Sequence, residues 1–256
     1  MLVRLLPSHG REPLRLQPFT TFLIDGKVAL DGGSVGIGLT PDEQRHVKNV
    51  LVSHTHADHT ASLPIFVAEV YPFLDRPILI HGTAPVIRSL KKDVFNERVW
   101  PDFHRIALAR GAGSALKYHA CRFGKPFVVE GLKCTAVPVN HTVDTSGFLI
   151  EDKTSAVLFS SDTSSTDELW RVANRSRKLR AIYVDVSYPS TMETLARRSC
   201  HFTPSALARD LKKLKRDVPV LAVHLKPTLR DEVAAEIEAL GDPRLSVAVI
   251  GRDDRW

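Results

Sequence analysis

The sequence predicts an α/β fold built from two mixed β-sheets with helices on their outer faces. Short apolar stretches rich in β-branched residues dominate the opening of the chain and return between residues 127 and 160. After residue 160, strand-like and helix-like stretches alternate, an order that two sheets covered by helices would accommodate. No repeat, low-complexity run or linker divides the 256 residues, so one domain over residues 1–256 is expected.

The first strands are expected at 20–24 and 27–30, joined by the hairpin signal Asp25-Gly26, with a third at 47–52. A helix over 60–71, with Thr60 as its N-cap, should follow. Next come a strand at 78–81 and a helix at 84–94. Four strands are expected at 128–130, 133–138, 147–151 and 156–160. The alternation then reads as helix 166–173, strand 181–186, helix 204–216, strand 218–224, helix 230–240 and strand 245–250. Thr203 before Pro204 is a strong helix start, because a threonine caps free N–H groups and proline tolerates the first helical position.

The three cysteines, Cys121, Cys134 and Cys200, are widely spaced and form no paired motif. They read as reduced thiols used for packing, which excludes a disulfide scaffold. The first residues do not form a secretory leader, and no apolar run approaches the roughly 20 residues that span a bilayer. A cytoplasmic protein without membrane contact is therefore expected. The formal charge of +6 suits an anionic partner. The densest basic runs, 171–180 and 209–216, have no aromatic residues interleaved with their charges and read as solvated helix faces.

The chemistry concentrates in Ser-His-Thr-His-Ala-Asp-His, residues 53–59, directly after an expected strand. It places His54, His56, Asp58 and His59 within six residues. In an extended segment, His54 and His56 project to the same side. So many imidazoles beside a carboxylate suit zinc, manganese or iron. Three more donors follow apolar strands: His141, Asp162 and His224. The expected arrangement gives His54, His56 and His141 to one metal, and Asp58, His59 and His224 to another, with Asp162 bridging. His9, His46, His81, His104 and His119 lack neighbouring donors and read as structural. Asn140 and Ser146 flank the His141 motif, where phosphate contact and local turn bonding are both open.

These motifs resemble the metallo-β-lactamase superfamily, and within it the class II 3′,5′-cyclic-nucleotide phosphodiesterases. The narrower likeness rests on residues 22–33, ending in an acidic-glycine turn, on residues 94–103, on Ser-Tyr-Pro 187–189, on His-Phe-Thr-Pro 201–204 and on His-Leu-Lys-Pro 224–227. The resemblance implies the αββα sandwich of that superfamily. It also implies a hydrolase with two divalent ions, zinc first and manganese or iron as alternatives. Asp185 stands where the family commonly carries glutamate, and Ala57 where a larger aliphatic residue is usual. Residues 8–13 depart from the family's glycine-rich turn.

The implied substrate is a cyclic nucleotide, cAMP or cGMP, opened to a 5′-nucleotide. Two metals about 3.5–4 Å apart can clamp a phosphoryl group and generate hydroxide at neutral pH. Asp58 is expected to bind metal and orient the nucleophile. His201 is the candidate acid for the leaving oxygen, since histidine titrates near neutrality. The resemblance further implies that Asp185 orients His201. Two other readings stay open: a ribonuclease Z-like tRNA 3′-processing endonuclease, for which tRNA is the partner, and a non-catalytic nucleotide-binding module. Lactonase or thioesterase chemistry would also fit the fold. A homodimer is compatible with the sequence.

Overall fold

A computed structural model describes residues 1–8 and 16–256. Of the expected departure at residues 8–13, all but Ser8 lies outside the described residues, as does His9.

The first sheet is built from β1 (Leu2–Leu5), β2 (Phe22–Ile24), β3 (Val28–Leu30), β4 (Asn49–Leu51), β5 (Ile78–Thr83) and β6 (Leu116–Cys121). The second holds β7 (Phe127–Val129), β8 (Leu132–Pro138), β9 (Ser146–Glu151), β10 (Ala156–Phe159), β11 (Leu179–Asp185), β12 (Val220–Val223) and β13 (Leu245–Val247). The last strand, β14 (Asp253–Arg255), returns to the first sheet beside β1. Both sheets are mixed: β3 to β6 and β10 to β13 pair in parallel, and the remaining neighbours are antiparallel.

Alternation along each strand builds three apolar layers. In the segment running through β4, Val50 and Val52 face helices while Leu51 faces the opposite sheet, because successive side chains point to opposite sides. The outer layer of the first sheet packs on α3 (Leu63–Val70) and α4 (Ala84–Ser89) through Phe66, Val67 and Val86. The second sheet packs on α5 (Asp167–Arg175), α7 (Pro204–Leu211) and α8 (Arg230–Ala239) through Trp170, Leu207 and Val233. Between the sheets, Phe22 meets Phe159 and Tyr183 with ring centroids 4.9 and 5.0 Å apart. Three short helices complete the frame: α1 (Pro41–His46), α2 (Ala57–Thr60) and α6 (Glu193–Arg198).

The expected helix over 60–71 divides in two. Thr60 is the last residue of α2, whose N-cap is His56, and α3 starts after Ser62. The chain turns here because the Asp31-Gly32-Gly33 turn packs against it. The N–H of Ser62 donates to Gly32 O at 3.1 Å. Thr203 does cap α7, accepting from the Ala206 N–H at 3.2 Å, but that helix ends at Leu211 and not at residue 216. No helix among the described residues is long and apolar enough to cross a membrane.

His81 is a structural histidine within β5. Its Nε2 donates to Asn49 Oδ1 at 2.9 Å, its Nδ1 lies 3.1 Å from His119 Nδ1, and its ring stacks on Phe127. Burial and the neighbouring His119 push its pKa down to about 4. The unfolded chain therefore binds a proton that the folded chain refuses between about pH 6.5 and about pH 4. Stability should fall as pH drops through that window, and His81→Gln should flatten part of the fall, as read by urea midpoints against pH.

Candidate metal centre

All the singled-out donors gather at one end of the sandwich, where the parallel strands of both sheets terminate. β4 runs into Ser53 and the His54–His56 segment, and α2 carries Asp58 and His59 in a single turn. The second sheet supplies His141 after β8, Asp162 after β10 and His224 after β12.

Two groups of donors result. His54, His56, His141 and Asp162 form the first, and Asp58, His59, His224 and Asp162 the second, with donor atoms inside each group within 4.8 Å of one another. Asp162 belongs to both. Its Oδ2 lies 3.7 Å from His54 Nε2 and 3.8 Å from His141 Nε2. Its Oδ1 lies 3.1 Å from His59 Nε2 and 3.5 Å from His224 Nε2. Asp58 closes the second group, with Oδ2 3.1 Å from His224 Nε2.

Partners behind the imidazoles aim most of them. His54 Nδ1 donates to Ser53 Oγ at 3.0 Å, and Ser53 Oγ donates in turn to Asp31 at 2.8 Å. His59 Nδ1 meets Asp31 directly at 2.8 Å. His141 Nδ1 donates to Cys200 O at 3.2 Å. His224 Nδ1 donates to Ser187 Oγ at 2.8 Å, and Ser187 donates to Asp185 at 2.6 Å. Each of these four rings then presents Nε2 to the cluster, the tautomer a metal requires when Nδ1 carries the second bond. The Nε2 atom of His54 is buried with no hydrogen-bond partner, and that of His59, equally buried, meets only the Asp162 carboxylate at 3.1 Å. Buried polar atoms normally have partners, so the orphaned His54 nitrogen and the imidazoles and carboxylates gathered around it fit divalent cations.

The electrostatics follow from crowding. Burial and the nearby His59 charge push His54 well below its ordinary pKa. His59 is raised well above its own, because Asp162 and Asp31 outweigh its burial. Burial opposes a charge on His224 too, but Asp162 and the hydrogen bonds to Asp185 and Asp58 raise it to about 9. Burial would raise Asp58 and Asp162, yet the surrounding imidazoles hold both well below the usual carboxylate range.

A third group, Asp185, His201 and His224, adjoins the second. His201 Nδ1 lies 2.7 Å from Asp185 Oδ2, and the Thr163 N–H donates to the same oxygen at 3.1 Å. Asp185 is held down to about 2, its burial being outweighed by the His201 charge and hydrogen bond. The His201 ring stacks on His224 at 5.4 Å. It also lines a cleft of about 280 Å³ with Asn140, Ser164, Arg197 and Phe202. Ser146 stands apart, buried in β9 with its N–H bonded to Ser53 O.

Asp31, Ser53 and Ser187 do not emerge from sequence reasoning as site residues. Asp31-Gly32-Gly33 and Ser-Tyr-Pro 187–189 carry a signal only as blocks of family likeness. Glycine is required at 33, where a Cβ would overlap the Asp58 carbonyl oxygen. The backbone is left-handed at Asp31 (φ 63°), Ser161 (φ 55°) and His224 (φ 64°). Removing Asp31 leaves the buried His59 and Ser53 without their acceptor. Asp31→Ala should cost about 3–5 kcal/mol in urea unfolding, whereas Asp31→Asn, which tolerates the left-handed backbone, should cost less.

Comparison with known proteins bears on the fold and the family. A protein from Yersinia pestis, "Probable 3',5'-cyclic-nucleotide phosphodiesterase", is 25% identical over 213 residues, covering 73% of this chain. The chain spans 59% of that relative's length. A "3',5'-cyclic-nucleotide phosphodiesterase" from Aliivibrio fischeri is 26% identical over 267 residues, covering 83% of this chain and 78% of the relative. Unliganded yeast PDE1 shares the fold with a TM-score of 0.76 at 16% identity, with 98% of each chain covered. Human tRNase Z, short form, does so with a TM-score of 0.69 at 14% identity, covering 100% of this chain and 99% of that one. Residues 35–225 match the Beta-lactamase superfamily domain, and with its two mixed sheets and clustered His/Asp donors the chain belongs to the metallo-β-lactamase superfamily.

Proposed function

We propose that this chain is a metal-dependent phosphoric diester hydrolase that opens 3′,5′-cyclic nucleotides, cAMP or cGMP, to 5′-nucleotides. The observation that carries the reading is the pair of donor groups sharing Asp162, with the Asp185–His201 pair beside them. The names of the curated relatives support the substrate class. His54, His56 and His141 would hold one divalent cation, Asp58, His59 and His224 a second, and Asp162 both. Zinc suits these donors first, with manganese or iron as alternatives. Bound cations supply Lewis acidity at the phosphoryl oxygens and a nucleophile at neutral pH.

The residues then divide the work. Asp58, held ionised, accepts a hydrogen bond from the attacking water and orients it. A P–O bond forms to the water oxygen as the bond to the 3′ oxygen breaks. The departing oxygen needs a proton, and His201 donates it from Nε2, since Nδ1 is committed to Asp185. Asp185 fixes the imidazole and its orientation through Nδ1. The nucleoside enters the cleft beside His201, where Arg197 and Asn140 offer polar contacts.

The nuclease reading shares the fold and the donors, so neither discriminates. Against it stands the segment between β5 and β6. It is the longest excursion among the described residues of the first sheet, and it is tied down by Phe103 and Leu108 in the core instead of projecting as an arm. A non-catalytic module would have no use for a carboxylate-held acid beside an open cleft.

His201→Ala should lower turnover by about 10²–10⁴-fold while metal content by elemental analysis stays unchanged. Equal loss of both would remove His201 from the acid role. The deciding experiment is product analysis with cAMP, cGMP and a 3′-extended tRNA precursor. A 5′-nucleotide, absent with Asp58→Ala, is expected; cleavage of the precursor alone would establish the nuclease.

A further inference from the structure

The two densest basic runs of the sequence meet in space. Arg177 and Arg180, at the start of β11, and Lys215 and Arg216, in the loop after α7, line one cleft of about 400 Å³. It opens at the edge where β11 and β12 begin. The donor groups sit where those strands end, about 20 Å away at the rise of a seven-residue strand.

The cleft is built and not merely charged. Asn174 on α5 clamps the loop, its Nδ2 donating to Lys213 O at 2.9 Å and its Oδ1 accepting from the Lys215 N–H at 2.7 Å. Arg216 donates to Arg177 O at 3.2 Å, which fixes one guanidinium against the other arginine's backbone. Among the described residues, none of the four cations forms an ion pair with a carboxylate. One acid, Asp217, lines the cleft, and its charge acts on Arg244. Four cations line the cleft against one carboxylate, which leaves an excess of positive charge there for an anion to meet.

The geometry points to a second ligand site, for a compact oligophosphate. Planar guanidinium forks match phosphate oxygens in pairs, and the volume is that of a small-molecule site. No aromatic side chain lines the cleft, so it offers no platform for stacking bases and recognises the phosphates themselves. Leu179 and Val218 are buried beneath it, while Arg177, Arg180 and Lys215 stand exposed around it and Arg216 is half-buried.

The test is calorimetric titration of inorganic tripolyphosphate into the metal-loaded enzyme. A single saturable site that weakens with salt is expected. Arg180→Gln/Arg216→Gln should weaken it by about tenfold or more, and Lys215→Gln alone by less. Arg98→Gln/Arg122→Gln, exposed basic residues elsewhere, should leave it unchanged. Phosphodiester turnover should be unaffected in all of these variants, with melting temperatures showing that each is folded. Binding that survives the double variant overturns the proposal, as does binding lost only in Asp58→Ala, which would place the anion at the metal centre. A short single-stranded DNA that binds through these residues while tripolyphosphate does not would also overturn it.

Discussion

Two buried carboxylates, one following or ending a strand in each sheet, hold the donor-bearing end of the molecule in register. Asp31 directly follows β3 and Asp185 ends β11. Each does the same pair of jobs. Asp31 bonds His59 directly and reaches His54 through Ser53; Asp185 bonds His201 directly and reaches His224 through Ser187. A serine hydroxyl suits this relay because it can donate to a carboxylate and accept from an imidazole at once. The clustered imidazoles are crowded, buried and mutually repulsive, and these acids behind them set both their charge and their direction. The donor groups exist because the sandwich brings the ends of two unrelated strand sets within reach of Asp162.

The donors were legible because they are local. His54, His56, Asp58 and His59 fall within six residues, and their chemistry can be read without knowing the fold. The supporting acids were not, because nothing near Asp31 in the chain tells that His59 will stand against it. Several strands were hidden for related reasons. β14 is Asp-Asp-Arg, three charged residues that pair only because the chain returns beside β1. β6 carries Lys117, His119 and Ala120 exposed at a sheet edge, which blurs its alternation. β1 is too short to stand out before its partners are known. In contrast, α1, absent from the expected elements, carries a full local signal: Thr40 and Glu43 cap each other, with Pro41 between them at the first helical position.

The layered core explains why the site can be so polar. Three apolar layers hold the buried large side chains, and the donor-bearing end is left to loops. Those loops are short and tied by backbone bonds, such as Thr20 N–H to Asp58 O at 2.8 Å and Gly32 N–H to His59 O at 2.7 Å. The glycine at 33 lets the two segments approach that closely. The polar cluster is thereby held by backbone bonds and by ring contacts among its own imidazoles.

His224 occupies the left-handed region of backbone space, where an L-residue with a Cβ pays roughly 1–2 kcal/mol and glycine pays nothing. Glycine would make the turn after β12 easier to form and would erase a donor shared by two of the three groups. The chain keeps the imidazole and with it a standing conformational penalty. Evolution toward greater robustness therefore cannot pass through this position, and a stabilised descendant of the protein has to find its gains in the apolar layers, leaving the turn as tense as it is now.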